Sequence, residues 1–319
     1  MQNSADQFWN SLIEQIENHD VITLFRHQYP DSDALGSQLG LKSWIENRWK
    51  DKQVLALGSG KEMDEADDET IAKSLAIITD TSNAARVDDE RWKLADASAR
   101  IDHHVKVEQY TDLDFVDDHA AAACEIVARL LKKGGETIPQ DGAQKLYEGL
   151  IADCVNFSIS TTTPQTMEAA GWLLEQKADV IQARVDCFDS SYEDFLYENR
   201  VRSKSCRQNN FLFSIMEPDD YLLCGQTFAS AKEKVYALSG IRGMEVWALF
   251  TRMEDGVHYS ASLRSSTLEV RDIATRFGGG GHVCASGIKN LSIAQVQEII
   301  GLCARRSAGD LPSLSITEL

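Results

Sequence analysis

Short apolar runs alternate with helical segments in the first half of the chain, and this alternation constrains the fold most strongly. Val21–Phe25 and residues 75–79 are continuous apolar runs, typical of strands that are buried on both faces. Residues 54–57 and 100–101 are shorter runs of the same kind. Residues 34–50 carry apolar side chains at helical spacing. The alternation predicts an α/β fold, in which helices cover both faces of a parallel sheet.

The pattern changes in the second half of the chain. Residues 190–207 are polar and mixed in charge, and we interpret them as a helical linker between a first domain at 1–189 and a second at 208–319. Further on, Glu254-Asp255-Gly256 separates two strand-like segments, which is a strong hairpin signal. The remaining predicted elements are helices at 120–133, 141–151, 166–176, 229–238, 268–277 and from 292 onward, and strands at 211–216, 244–252 and 258–264. The second domain is therefore expected to be a smaller α+β domain.

The charge balance limits the partners of the chain. It has 32 Lys and Arg against 50 Asp and Glu, a formal net charge of −18, so it lacks the basic face that long nucleic acids require. A small anionic substrate remains possible if a metal ion or a few arginines hold it. Seven cysteines without C-x-x-C spacing fit reduced thiols, and no apolar window approaches the ~18 residues of a membrane helix. We expect a soluble, cytoplasmic protein.

Four short polar segments carry the candidate chemistry, and three of them directly follow apolar runs. Their chemical groups are His27, Asp31 and Asp33; Asp80; Asp102, His103 and His104; and Asp153. Because ligands bind at the carboxyl ends of parallel strands, we expect the three strand-end segments to meet at one edge of the sheet. Imidazoles and carboxylates without thiolates suit Mn²⁺ or similar divalent ions, and so many groups suit two ions with a bridging hydroxide nucleophile. Asp80 is the expected bridging carboxylate, and Asp33 is also expected to cap the helix after it.

In this order the segments resemble the motifs of the DHH phosphoesterase superfamily. The second domain resembles that superfamily's DHHA1 domain, through residues 262–266 (Ser-Leu-Arg-Ser-Ser) and 277–282 (Phe-Gly-Gly-Gly-Gly-His). Within the superfamily, the sequence most resembles the stand-alone bacterial nanoRNase and pAp-phosphatase group. Two positions depart from the usual motifs: Ser32 stands where glycine is commoner, and Cys154-Val155 follows Asp153 where Thr-Gly is usual.

The resemblance implies roles for these residues. One ion would be held by His27, Asp31 and Asp80, and the other by Asp33, Asp80, His103 and Asp153. His104 would stand beside the reacting phosphate, and Asp102 would orient the pair of histidines. Which of the two histidines is the metal ligand stays open. The implied cofactor is a pair of divalent ions, with Mn²⁺ expected and Mg²⁺ or Co²⁺ as alternatives.

The second domain carries the expected substrate-binding residues, which are Arg264, Ser265, Gly278, Gly279, Gly280, Gly281 and His282. Glycines let backbone N–H groups approach an anion, and the arginine fork suits phosphate. Binding of a terminal phosphate there would make a ruler that accepts only short substrates. The predicted function is hydrolysis of oligonucleotides of about two to five residues to 5′-mononucleotides, with 3′-phosphoadenosine 5′-phosphate (pAp) as a further candidate substrate.

Several alternatives stay open at this stage. The same core would serve a phosphodiesterase acting on cyclic dinucleotides or their linear products, and a non-catalytic nucleotide sensor would keep the fold but lose ligands. Inorganic pyrophosphatase and long-strand exonuclease activities rank lower. The family resemblance also suggests a homodimer.

Overall fold

The apolar runs of the first half form a parallel sheet in the computed structural model, which describes residues 2–60 and 63–310. The strands are β1 (Val21–Phe25), β2 (Gln53–Ala56), β3 (Ser74–Thr79), β4 (Ala97–Asp102) and β5 (Leu113–Val116). Their order is β2-β1-β3-β4-β5, and every neighbouring pair is parallel. Parallel neighbours place the carboxyl ends of all these strands at one edge of the sheet.

Both faces of this sheet are covered. Leu75 and Ile77 of β3 pack into the main core, whereas Ala76 and Ile78 pack into a smaller cluster on the opposite face, as the two-residue period of a strand requires. The helices of this part of the chain are α1 (Gln2–Asn18), α2 (Ser32–Arg48), α3 (Asp68–Ala72), α4 (Ala123–Lys133), α5 (Gln140–Asp153), α6 (Pro164–Glu175) and α7 (Val180–Phe188). The smaller cluster is covered by α3 and by a 3₁₀-helix at Glu90–Leu94. The predicted α/β class is confirmed.

The second part of the chain is built on a mixed sheet. Its strands are β6 (Cys206–Gln208), β7 (Phe211–Met216), β8 (Val246–Arg252), β9 (Tyr259–Ser265), β10 (Gly280–His282) and β11 (Ala285–Leu291), in the order β10-β11-β9-β8-β7-β6. Strands β7 and β8 are parallel and the other neighbours are antiparallel. Its helices are α8 (Tyr192–Ser203), α9 (Pro218–Leu222), α10 (Phe228–Ala231), α11 (Arg271–Arg276) and α12 (Ile293–Ser307). The predicted α+β class of this part is also confirmed.

The chain divides into two compact units, at residues 1–189 and 190–319. The segment interpreted as a linker forms α8 and most of β6, and it belongs to the second unit. Residues 311–319 of the predicted second domain lie outside the described residues. None of the described helices combines the length and apolarity that crossing a membrane requires.

One predicted element was wrong and several were missed. The single helix predicted at 229–238 is interrupted: α10 ends at Ala231, and Lys234–Leu238 is a 3₁₀-helix. A 3₁₀-helix aligns residues three apart, which allows Val235 and Leu238 to be buried together. The missed elements include the helices α1, α7 and α9 and the short or edge strands β5, β6 and β10.

Candidate metal centre and active site

The ends of three strands carry the predicted chemistry to one edge of the parallel sheet. His27 lies two residues after the end of β1, Asp80 directly follows β3, and the Asp-His-His segment begins at the last residue of β4. Asp153 is the last residue of α5. The expected convergence is found: ligand atoms of these segments form three groups, each with atoms within 4.8 Å of one another.

Asp80 lies at the middle of this arrangement. Its Oδ2 is 3.3 Å from Nε2 of His27, and its Oδ1 is 3.4 Å from Nε2 of His103. Asp80 adopts a left-handed backbone conformation with φ 49°, which costs about 1–3 kcal/mol and is often found at functional sites. Its backbone N–H donates to the carbonyl of Ile101 at 3.0 Å, which fixes this conformation against β4. One carboxylate therefore faces two imidazoles from different strands.

The first group consists of His27, Asp31 and Asp80. Oδ2 of Asp31 lies 3.7 Å from Nε2 of His27. Asp31, and not Asp33 as predicted, caps α2: its Oδ1 accepts hydrogen bonds from the backbone N–H groups of Asp33 and Ala34. Asp33 does not cap α2 because its carboxylate instead binds the N-terminus of α4.

The second group consists of Asp33, His103 and Asp153. Nε2 of His103 lies 3.8 Å from Oδ2 of Asp33 and 3.3 Å from Oδ2 of Asp153. The buried Asp33 carboxylate accepts hydrogen bonds from the N–H groups of Ala123 and Cys124, at 2.7 and 2.8 Å. These groups lie at the N-terminus of α4, where the helix dipole stabilises an anion. The sequence did not predict this contact, because every residue except proline has a backbone N–H group and no side chain marks these two.

The electrostatics of the cluster favour bound cations. Burial alone would lower the pKa of both histidines, but hydrogen bonding with Asp80, and with Asp31 for His27, raises the pKa of His27 and of His103 to about 10. Burial and the charges of Asp33 and Asp80 raise the pKa of Asp153 to about 8. Among the described residues, the buried Oδ1 of Asp80 has no hydrogen-bond donor. Crowded carboxylates that hold protons on the neighbouring imidazoles, together with an unpaired buried oxygen, fit a site where divalent ions would replace those protons.

The third group consists of Asp80, His103 and His104, and Asp102 pairs with His104 from outside it. Oδ1 of the fully buried Asp102 lies 2.8 Å from Nδ1 of His104, so the ring is held through Nδ1 and its Nε2 is available to a substrate. Nδ1 of His104 is also 3.5 Å from Oδ1 of Asp80, whereas His103 faces three carboxylates through Nε2. The geometry gives the two histidines different surroundings.

Arg264 and His282 lie in one cross-strand row of the second unit. Arg264 on β9 pairs with Ala285 on β11, which pairs with His282 on β10. Directly opposite residues share a face, so the two side chains project from the same side of the sheet, about 10 Å apart at their Cα atoms. The Arg264 guanidinium is 5.4 Å from the ring of Tyr236. Ser265 is buried and donates its hydroxyl to the carbonyl of Leu268, so it has no exposed group to offer.

The glycine run forms the turn after α11 and the edge strand β10. A Cβ atom at Gly279 would lie 2.3 Å from the carbonyl oxygen of Gly287, and one at Gly281 would lie 2.5 Å from that of Ala285. These two glycines are needed for close packing against β11. Gly280 has open space at its Cβ position, and Gly278 is exposed, so these two positions leave the backbone accessible.

The departure at the fourth motif coincides with unusual backbone geometry. Val155, Asn156 and Phe157 all have positive φ, of 46°, 51° and 64°. A β-branched residue in this conformation is a genuine outlier, and glycine would adopt it without strain. Val155 therefore adds backbone strain two residues after Asp153.

Known proteins show the same two-part organisation. Residues 21–157 match the DHH family, N-terminal domain, and residues 226–304 match the DHHA1 domain. A probable bifunctional oligoribonuclease and PAP phosphatase, NrnA, of Streptococcus mutans is 30% identical over 303 residues, covering 91% of this chain and 96% of the relative. The bifunctional oligoribonuclease and PAP phosphatase NrnA of Bacillus subtilis is 29% identical over 308 residues, covering 91% and 95%.

A solved structure extends the likeness to the fold. An exopolyphosphatase-related protein of Bacteroides fragilis superimposes with a TM-score of 0.82 at 20% identity, covering 96% of both chains. The two domain matches, the near full-length relatives and the motif residues gathered at the sheet edge agree with one another. The chain belongs to the DHH/DHHA1 phosphoesterase superfamily.

Proposed function

We propose that the protein is a Mn²⁺-dependent phosphodiesterase that hydrolyses oligonucleotides of about two to five residues to 5′-mononucleotides. The observation that carries this proposal is the Asp80 carboxylate, which faces His27 with one oxygen and His103 with the other, at 3.3 and 3.4 Å. One carboxylate shared by two ligand groups suits a pair of ions acting on one phosphate. The relatives named oligoribonuclease and PAP phosphatase support the substrate class, with pAp as a second substrate.

The ligand groups would hold two divalent ions, one at His27, Asp31 and Asp80, and the other at Asp33, Asp80, His103 and Asp153. Two such ions, when bound, neutralise the charge of a phosphate and acidify a water molecule that attacks phosphorus. Asp31 and Asp33 also have a structural role. Their carboxylates accept hydrogen bonds from the backbone N–H groups at the starts of α2 and α4, respectively. These bonds fix the carboxylates before substrate arrives, which reduces the cost of ordering them.

His104 would act on the substrate directly. Its Nδ1 is engaged with Asp102, so Nε2 is the nitrogen that would face a phosphoryl oxygen, to which it donates a hydrogen bond when the ring carries both protons. Asp102 fixes the tautomer and the orientation of the ring, the usual role of a carboxylate behind a working histidine. His103, surrounded by Asp33, Asp80 and Asp153, is better suited to hold an ion.

The second unit would supply the group that binds the nucleotide. Arg264 and His282 share a face of the sheet, and Gly278 and Gly280, which are both exposed, precede His282 by four and two residues. Arginine and imidazole side chains are suited to a terminal phosphate. Only a few phosphates need to be held in this way, which agrees with the net charge of −18.

The first experiment measures Mn²⁺-supported hydrolysis of an RNA dinucleotide by the wild type and by Asp80→Ala and His104→Ala. Both variants are expected to lose at least about 100-fold in kcat, since loss of an outer-sphere partner alone typically costs 10–100-fold. His119→Ala is the matched control, because this exposed histidine lies outside the ligand groups and should retain wild-type activity. Activity retained by Asp80→Ala would contradict the shared-carboxylate assignment.

The same assay separates the alternatives. Rates on a cyclic dinucleotide and on its linear product distinguish the cyclic-dinucleotide phosphodiesterase from the proposed enzyme, which should prefer the linear form. A nucleotide sensor would bind nucleotide without turnover, and the complete set of ligand residues argues against it. Parallel assays with Mg²⁺ and Co²⁺ test the preference for Mn²⁺.

A further inference from the structure

Arg100 is a fully buried charge directly behind the active site. It lies on β4, two residues before Asp102, and its exposure is 0%. Burying a cation is costly unless it is paired and hydrogen-bonded. Its partner is Asp114 on β5, which accepts from Nε with one oxygen and from Nη2 with the other, the latter at 2.9 Å. Lys106 lies 2.6 Å from the same carboxylate, so two cations face Asp114.

The Arg100 guanidinium also joins the two loops that carry the active-site residues. Nη1 donates to the carbonyl of Ser82 at 3.1 Å, in the loop that follows Asp80. Nη2 donates to the carbonyl of Glu108 at 2.9 Å, in the loop that follows the two histidines. The ring of Tyr110 packs 4.7 Å from the guanidinium, and its hydroxyl donates to the carbonyl of Thr81 at 2.8 Å. One side chain thus fixes both loops.

Asp102 depends on the same cation. Its Oδ1 is occupied by His104, whereas its Oδ2 is buried without a hydrogen-bond donor among the described residues. Nη1 of Arg100 lies 3.8 Å from this Oδ2 and provides its compensating charge. Without that cation, the buried carboxylate would lose its compensating charge and would gain by turning away, which would release the His104 ring.

We infer that Arg100 is a positioning residue, which acts through Asp102 on His104 and holds the loops of Asp80 and of the histidines in register. The inference rests on the proposed function, because it assumes that His104 works on the substrate. A lysine could supply the charge, but not the fork that bonds Asp114 and both loop carbonyls together. The geometry therefore predicts that charge and shape are both required at position 100.

The test is a double-mutant cycle between Arg100→Met and His104→Ala, measured as kcat and KM on an RNA dinucleotide with Mn²⁺. In the wild-type background, Arg100→Met should lower kcat by about 10–100-fold, as removal of outer-sphere partners typically does, with KM within about 2-fold. In the His104→Ala background the same change should lower kcat by less than about 5-fold, because the effect that acts through Asp102 and His104 is gone and only the loop contacts of Arg100 remain. Arg100→Lys should recover only part of the loss.

Controls separate positioning from general loss of stability. Leu173→Ala, in the buried core of the same unit, should lower the melting temperature while leaving kcat unchanged. Asp114→Asn keeps the arginine but weakens the pairing that orients its guanidinium. It should lower kcat severalfold in the wild-type background and by a smaller factor in the His104→Ala background, and it replaces Arg100→Met in the cycle if that variant does not fold. A wild-type kcat for Arg100→Met, or equal losses in both backgrounds, would overturn the inference. Wild-type enzyme inactive on the dinucleotide would instead refute the proposed function.

Discussion

Replacing Asp33 with asparagine should uncouple the stability of the metal-free protein from its activity. Asp33 is fully buried, and its carboxylate accepts the N–H groups of Ala123 and Cys124 at the start of α4. It also lies close enough to Asp80 for their charges to repel, and it belongs to a ligand group with His103. Asparagine keeps the size of the side chain but removes the charge. We expect loss of metal binding and activity without loss of folding.

The expected change in the free energy of unfolding is the sum of two opposing contributions. Burial and the charge of Asp80 raise the pKa of Asp33 from 3.8 to about 6. Because the folded-state pKa lies above the unfolded value, this group destabilises the fold as pH rises above about 4, and the whole penalty is present above about pH 6. A pKa difference of about 2 corresponds to about 3 kcal/mol, which asparagine removes. Against this, its NH₂ group faces one of the two helix amides and leaves it unpaired, at a cost of about 1–3 kcal/mol.

The metal-free Asp33→Asn protein should therefore be as stable as the wild type at pH 7.5, or up to about 2 kcal/mol more stable. Urea unfolding with a chelator measures this difference, and calorimetric titration with Mn²⁺ should show one binding event fewer. Asp88→Asn is the matched control of opposite sign, because Asp88 pairs with the buried Arg26 and its removal should destabilise. A loss of more than about 1 kcal/mol in Asp33→Asn, or unchanged Mn²⁺ binding, would refute this reasoning.

Three further changes test other parts of the structure. Val155→Gly should raise the unfolding free energy by about 1 kcal/mol, because the relief of backbone strain at φ 46° exceeds the cost of the added entropy of the unfolded chain. Urea unfolding measures this difference, and equal or lower stability would show that Val155 is not strained. Gly280→Ala should fold normally, because its Cβ position is open, yet raise KM for the dinucleotide; an unchanged KM would argue against a substrate-binding role. Gly279→Ala should instead lower the melting temperature, because its Cβ would lie 2.3 Å from a carbonyl oxygen, and wild-type thermal stability would contradict that packing.

The convergence of the site was predictable from the sequence because two simple rules apply to it. Continuous apolar runs identify buried parallel strands, and the carboxyl ends of such strands meet at one edge. His27, Asp80 and His103 each follow such a run, so their proximity needs no knowledge of distant contacts. The edge strand β5 was missed because its residues are only half-buried and a charged residue, Asp114, interrupts its apolar pattern.

Other features depend on contacts between residues distant in sequence. Asp31 and Asp33 are both chemically suited to cap α2, and the choice is made by the N-terminus of α4, about 90 residues away, which engages Asp33. An arginine is unexpected in a buried strand, and the sequence does not show that Asp114 on the neighbouring strand pairs with it. Helix α1 has a readable stripe at Phe8, Leu12 and Ile16, yet it precedes the first apolar run and lies outside the alternation that predicted the sheet.

The central claim is that this protein is a metal-dependent phosphodiesterase for very short oligonucleotides. The most direct test compares initial rates on an RNA dinucleotide, on a single-stranded RNA a few tens of nucleotides long, and on pAp, each with Mn²⁺ and with excess chelator. We predict rapid release of 5′-mononucleotides from the dinucleotide, slower removal of the 3′-phosphate from pAp, little cleavage of the long strand, and no activity with chelator. Faster cleavage of the long RNA than of the dinucleotide, or full activity in chelator, would contradict the account.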